Sequence, residues 1–237
     1  MPVVRLFLAF AAIFLGPTSL NARPDGGTLT GIVTFKGTLL KTTPFDLAKE
    51  SACVKMHATE ALMDETVVIG PGKGLANVVV YISAGDTDTT AVAGKAVAFK
   101  QQGCHYKSHV LAIRVGQEIQ IINSDSIPHN IHPVTKVNRE WSRLQPPGTP
   151  PFSYSYEKEE FIPVKCNIHP WMQGYFVVLK TSHFIVTGED GIFRLPDLPP
   201  GKYTVTAWHE SLGAQSQEIR VIGGETTSIY FAFPAKP

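Results

Sequence analysis

Residues 165–178 read Lys165-Cys166-Asn167-Ile168-His169-Pro170-Trp171-Met172-Gln173-Gly174-Tyr175-Phe176-Val177-Val178. Seven of these residues hold a thiolate, an imidazole and a thioether at the spacing Cys-x2-His-x2-Met, and a glycine and a β-forming run follow. Pro170 fixes φ and removes a backbone donor, so the stretch reads as a turn between two strands rather than one unbroken strand. Three soft or borderline donors this close suit a metal that accepts sulfur. A Cys, a His and a weakly held Met, completed by a second His, are the donors of a mononuclear copper electron-transfer site. Copper(I) favours the sulfurs and copper(II) the imidazoles, so a mixed set serves both oxidation states with little movement. The bland alternative makes Cys166 a small buried residue and Met172 a filler of core gaps; it leaves the proline turn unexplained. Structural zinc wants four Cys or His donors, usually with a closely spaced Cys pair, and the three cysteines here stand far apart. The Cys-x-x-Cys-His pattern of haem attachment is absent.

The fourth donor must come from elsewhere, and Ile127-Pro128-His129-Asn130-Ile131-His132 offers it. Residues 117–123 read as a strand, which ends in the turn Ser124-Asp125-Ser126 just before His129. Pro-His-Asn after such a strand, then Cys-x2-His-Pro-x-Met, Gly and a β run, resembles the cupredoxins, most of all amicyanin and pseudoazurin. Residues 106–130 also line up with plastocyanin without a gap. The resemblance implies one type 1 copper held by His129, Cys166 and His169 in a trigonal plane, with Met172 axial. It implies that Asn130 ties the His129 loop to the Cys166 loop by hydrogen bonds. His132 matches a histidine that is not a ligand and is left out of the site.

At 237 residues the chain can hold one large or two small domains, and its formal net charge is +1. Charges this balanced offer no basic patch for nucleic acid and no acidic tail for a basic partner. Met1-Pro2-Val3-Val4-Arg5 precedes an apolar run over residues 6–16, and Leu20-Asn21-Ala22 supplies a small residue for cleavage. The run is too short to span a bilayer, so residues 1–22 are expected to be a secretory signal peptide, with an uncleaved anchor as the alternative. No later stretch reads as membrane-spanning, and no lipid partner is evident. Export would leave Cys53 and Cys104 as two spare thiols in an oxidising compartment, where a disulfide is their simplest fate. The alternative puts Cys104, with the nearby His105 and His109, into a second metal site.

The rest of the chain reads as β. Residues 28–36, 65–69, 76–82, 95–99, 109–115 and 117–123 have strand patterns, as do 160–166 and 174–180 around the ligand loop. Residues 37–64 are mixed, with a short helix possible near Cys53, and 133–159, rich in proline, read mostly as loop. Beyond residue 184 come two short strands around Glu189-Asp190-Gly191, a turn at Pro199-Pro200-Gly201 feeding a strand to Trp208, and strands over 214–221 and 226–233. Asp-Gly-x-Phe-x-Leu followed by Pro-Gly-x-Tyr resembles the carboxypeptidase regulatory-like, transthyretin-like β-sandwich. Its usual opening would be supplied by Gly31-Ile32-Val33 and Gly74 to Val80. The expected fold is therefore all-β: a Greek-key cupredoxin barrel, 95–180, inserted in a small regulatory-like sandwich, 27–85 plus 181–235, or in tandem with it.

No nucleophile elbow, phosphate-cradling glycine loop or His-Glu-x-x-His appears, so no enzyme is expected. Asp190 beside Gly191 has a turn reason to be there, and His209-Glu210 is read as a strand end that meets solvent. The expected function is single-electron transport in the periplasm or outside the cell. By resemblance, His169 would present its ring edge at the surface, framed by Pro170 and Trp171, where a redox protein docks transiently. The alternatives are a protein that binds and delivers copper, with Cys104, His109 or His132 as extra donors, and a structural cell-surface β module.

Overall fold

The computed structural model describes residues 26–38, 42–85 and 94–235. The apolar run read as a signal peptide lies outside the described residues. The described chain is almost wholly β. Strand β1 spans Gly27–Lys36, and helix α1, Ser51–Met56, stands in the connection to β2, Val79–Gly85. Then come β3 Val97–Gln101, β4 Val110–Arg114, β5 Ile119–Asn123, β6 His129–Pro133, β7 Arg143–Gln145 and β8 Phe152–Tyr154. The ligand stretch lies between β9 Glu160–Lys165 and β10 Gln173–Leu179. The chain closes with β11 Phe184–Val186, β12 Ile192–Leu198, β13 Gly201–His209, β14 Gly213–Val221 and β15 Thr226–Pro234.

These strands form four sheets. The orders β12-β1-β15 and β11-β2-β13-β14 use only strands from the two ends of the chain. The orders β4-β10-β9-β6-β7 and β3-β5-β8 use only strands between residues 97 and 179. Each pair of sheets encloses its own core. Phe35, Val80, Phe193, Tyr203, Val205 and Phe231 fill the first. Phe99, Tyr106, Ile121, Ile162, Phe176 and Cys166 are among those that fill the second. Alternation drives the arrangement: in β5, Ile119, Ile121 and Asn123 face inward while Gln120 is exposed. The outer faces of the two bodies meet as well. Val79 of β2 and Trp208 of β13 pack with Val110 of β4 and Val177 of β10 in a separate apolar cluster.

Three local readings change. Residues 65–69 form no strand, because the turn closed by the Gly70 N–H donating to Gly74 O bends the chain away, leaving only the isolated bridge Ile69↔Leu75. Val67 and Ile69 still pack against the first core. The strands flanking Glu189-Asp190-Gly191 do not pair with one another: β11 joins β2 and β12 joins β1. Gly191 has φ +67°, and a Cβ there would lie 2.1 Å from Val33 O, so the turn is pressed against β1 and carries the chain from one sheet to the other. Within 133–159, β7 pairs with β6 and β8 with β5, so the segment contributes to both sheets.

Candidate metal centre

The site starts at the end of β5. The Asn123 amide donates to Ile127 O and to Gln145 O, 2.9 Å each, and its Oδ1 accepts from Asp125 N–H at 3.0 Å. This side chain fixes the Ser124–Ile127 turn from both sides and so sets where β6 begins, with His129 opposite Gln145. On the other strand pair, the ligand loop closes on itself. Cys166 N–H donates to Met172 O at 3.0 Å, and Met172 N–H donates to His169 O at 2.9 Å.

These two constructions bring His129, Cys166 and His169 together, with one potential ligand atom of each lying within 4.8 Å of the other two. His129 Nδ1 lies 3.0 Å from His169 Nδ1, and Cys166 Sγ lies 3.7 Å from His169 Nδ1. Nitrogen and sulfur bonds of about 2.0–2.3 Å to one ion need a triangle of about this size. Met172, 1% exposed, is buried in the cluster that also holds Cys166. Asn130 links the two loops: its N–H donates to Cys166 Sγ at 3.4 Å, and its Oδ1 accepts from Asn167 N–H at 3.3 Å. His132 stands apart, its ring between Asn167 and Glu140.

The electrostatics prepare a thiolate. Burial pushes the Cys166 thiol up, but contacts from His129 and His169 and the backbone N–H groups of Asn130 and His169 outweigh it and hold the group down at about 5. Burial disfavours a charged His129, yet Asp125 and Cys166 raise its pKa above the usual histidine value. Asp125 Oδ2 takes the His129 Nε2–H at 2.8 Å; an ionised carboxylate only accepts, so Nε2 is the donor and Nδ1 is turned to the cluster. Asp125 also accepts from Gly103 N–H at 2.7 Å and Cys104 N–H at 2.9 Å. Burial works against its charge, but these donors lower its pKa to about 2. Sequence reasoning missed this role. The only signal was a carboxylate four residues before His129, in a turn where aspartate has local reasons to occur.

His169 departs from expectation. It is 2% exposed and offers no ring edge to solvent. Residues 42–66 cover it: Glu50 Oε2 lies 4.0 Å from His169 Nε2, and Phe45, Leu47, Leu62 and Cys53 pack with Trp171. The cover is pinned by a Cys53–Cys104 disulfide, and the Trp171 indole N–H donates to Cys104 O at 3.0 Å. With Cys104 so engaged, the alternative metal site through that thiol does not form. His105 instead turns to Gly103 O, and His109 contacts Glu210. His209 is another difference: it is buried, and its Nδ1 accepts from Ser211 N–H and Leu212 N–H at 3.2 and 3.3 Å.

The carboxypeptidase regulatory-like domain model matches residues 172–234. None of the curated proteins matches the chain. Among solved structures, the chain is similar to a copper-containing nitrite reductase from Thermus scotoductus SA-01, at 18% identity and TM-score 0.34 over 39% of this chain; it spans only 26% of that one. It is similar to a copper(I) form of a mutant amicyanin at 24% identity and TM-score 0.32, over 42% of this chain and 97% of that one. A purple cupredoxin from Nitrosopumilus maritimus matches at 23% identity and TM-score 0.30, over 36% of this chain and 99% of that one.

Proposed function

We propose that this is an exported, non-enzymatic protein that holds one type 1 copper ion and carries single electrons between redox partners in the periplasm or outside the cell. The observation that carries the reading is the convergence of His129, Cys166 and His169 from two separated loops onto one buried point. His129, Cys166, His169 and Met172 would hold the ion, which supplies a one-electron couple when bound. The chain's own contribution is preorganisation. Two backbone N–H groups on Cys166 Sγ and the Asp125 carboxylate on His129 fix the donors before any metal arrives. The disulfide supports an oxidising compartment. The partner is proposed to dock where Ile168 and Pro170 reach the surface beside half-buried Trp171, since His169 itself is covered.

The test is direct. Copper-loaded protein is expected to show intense visible thiolate-to-copper absorption and a reversible one-electron couple, and Cys166→Ser to abolish the colour. A colour that survives that substitution would overturn the site.

One observation favours a second reading, copper binding and delivery. The buried His169 lacks the exposed edge that suits fast exchange with a partner. Protein that stays colourless and binds only copper(I) would select it.

A further inference from the structure

A second group of sulfurs lies beside the first. Cys53 and Met56 are three apart on α1, so their side chains rise from one face of the helix. Cys53 is bonded to Cys104, and Met56 Sδ lies 3.8 Å from Cys104 Sγ. Both cysteines are 0% exposed, in an apolar cluster with Leu47, Leu62, Phe45 and Ile127, while Met56 is 38% exposed. The neighbouring imidazole of His57 is occupied on both sides, by Glu60 O and Gly103 O.

We propose that, once the disulfide is reduced, Cys53, Cys104 and Met56 form a three-sulfur site for copper(I), separate from the centre at Cys166. Two thiolates and a thioether in apolar surroundings are a donor set that selects a soft monovalent ion. Sulfur bonds of about 2.3 Å, the length thiolates make to a filled-shell ion, give a trigonal site sulfur-to-sulfur edges of about 4 Å. One such edge is already in place between Met56 and Cys104. The Cα atoms of the two cysteines, 5.8 Å apart, can span either a direct bond or a shared ion with small side-chain rotations.

The chemistry balances with an exported dithiol carrier as reductant. The carrier gives two electrons and two protons to the Cys53–Cys104 bond and becomes a disulfide itself. Copper(I) then displaces the two thiol protons and binds without changing oxidation state. The ion takes over the cross-link that the disulfide supplied. Cys104 therefore keeps its N–H on Asp125 and its carbonyl on Trp171, and the histidine centre stays in register.

The proposal does not depend on electron transport at the first site, and its test keeps the two apart. In a Cys166→Ser background, copper(I) is titrated anaerobically in competition with a chromophoric copper(I) chelator, before and after phosphine reduction and desalting. One additional equivalent per chain is expected after reduction only. Met56→Leu should weaken that equivalent by more than about tenfold, the loss that even an outer-shell partner can cause. Leucine is of similar size at a half-exposed position, so the fold is retained. X-ray absorption on the reduced, copper(I)-loaded Cys166→Ser protein should show three sulfurs. The same stoichiometry before and after reduction, or an unchanged affinity in Met56→Leu, would overturn the site. Visible absorption of oxidised wild-type protein reports the first centre alone.

Discussion

At the scale of single residues the centre is a set of proton and lone-pair assignments that the surroundings impose. Cys166 is the sharpest. In the metal-free protein its thiolate absorption in the ultraviolet should titrate with a midpoint near about 5. A midpoint in the ordinary thiol range, about 8.5, would show that neither imidazole donates to it. The sign follows from the depressed value: the stability brought by the ionised thiolate is complete above the ordinary thiol range and is lost as pH falls through about 5. His129 runs the other way. Its raised pKa stabilises the fold below the ordinary histidine range and that contribution is lost as pH rises through the folded value. Asp125 tests the support beneath His129. Asp125→Asn must turn an amide NH2 toward at least one of three N–H groups that now meet carboxylate oxygens. Copper affinity, read by chelator competition, should fall about 10–100-fold. The clustering of His129, Cys166 and His169 was legible in the sequence because two of them share one short loop and His129 follows a strand end. Asp125 was not, since its meaning comes from Gly103 and Cys104, some twenty positions away.

At the scale of elements, the connection between β1 and β2 decides how the centre meets its surroundings. Residues 37–64 have no clean period, and nothing in them announces that Leu47, Cys53 and Leu62 pack on Trp171 while Glu50 approaches His169. The cover is held by a backbone pair between Phe45 and Leu62, by Trp171 on Cys104, and by the disulfide. A cross-link spanning 51 residues contributes about 4 kcal/mol in the chain-entropy model. Replacing both Cys53 and Cys104 by alanine should lower stability by up to that amount. It should also open protease cleavage within 42–66 well below the global melting temperature. A digestion pattern equal to wild type would mean that the Phe45–Leu62 contacts hold the cover unaided. The strands were more readable than this cover because each carries its own alternation. Where pattern failed, as at Val67 and Ile69, burial came without a ladder: the residues pack into the first core while the Gly70–Gly74 turn takes their backbone away.

At the scale of the whole molecule, two β bodies meet through apolar outer faces and a buried contact between a histidine and a carboxylate. Phe161 of β9 lies 4.7 Å, ring to ring, from Trp208 of β13, and Tyr175 of β10 lies 5.4 Å from the same indole. Beside these rings His109, just before β4, contacts Glu210, just after β13, with both side chains largely buried. Glu65 Oε2 approaches the other ring nitrogen at 3.9 Å, and Asp64 adds to the negative field. Burial alone would lower the His109 pKa, but Glu210, Glu65 and Asp64 raise it. Tyr175 is pushed up by burial and by Glu210, so it stays neutral. A histidine raised in the folded state stabilises fully below its ordinary value and loses that contribution as pH rises through the folded one. Glu210→Gln removes the nearest of the carboxylates that face the imidazolium and leaves Glu65 at 3.9 Å. At pH 6 it should cost about 3 kcal/mol, a drop in Tm on the order of 10 °C. The gap between wild type and variant should then shrink as pH rises and His109 becomes neutral in both. A gap that stays constant across that range would place the stabilisation in the packing around Trp208 rather than in the charge pair.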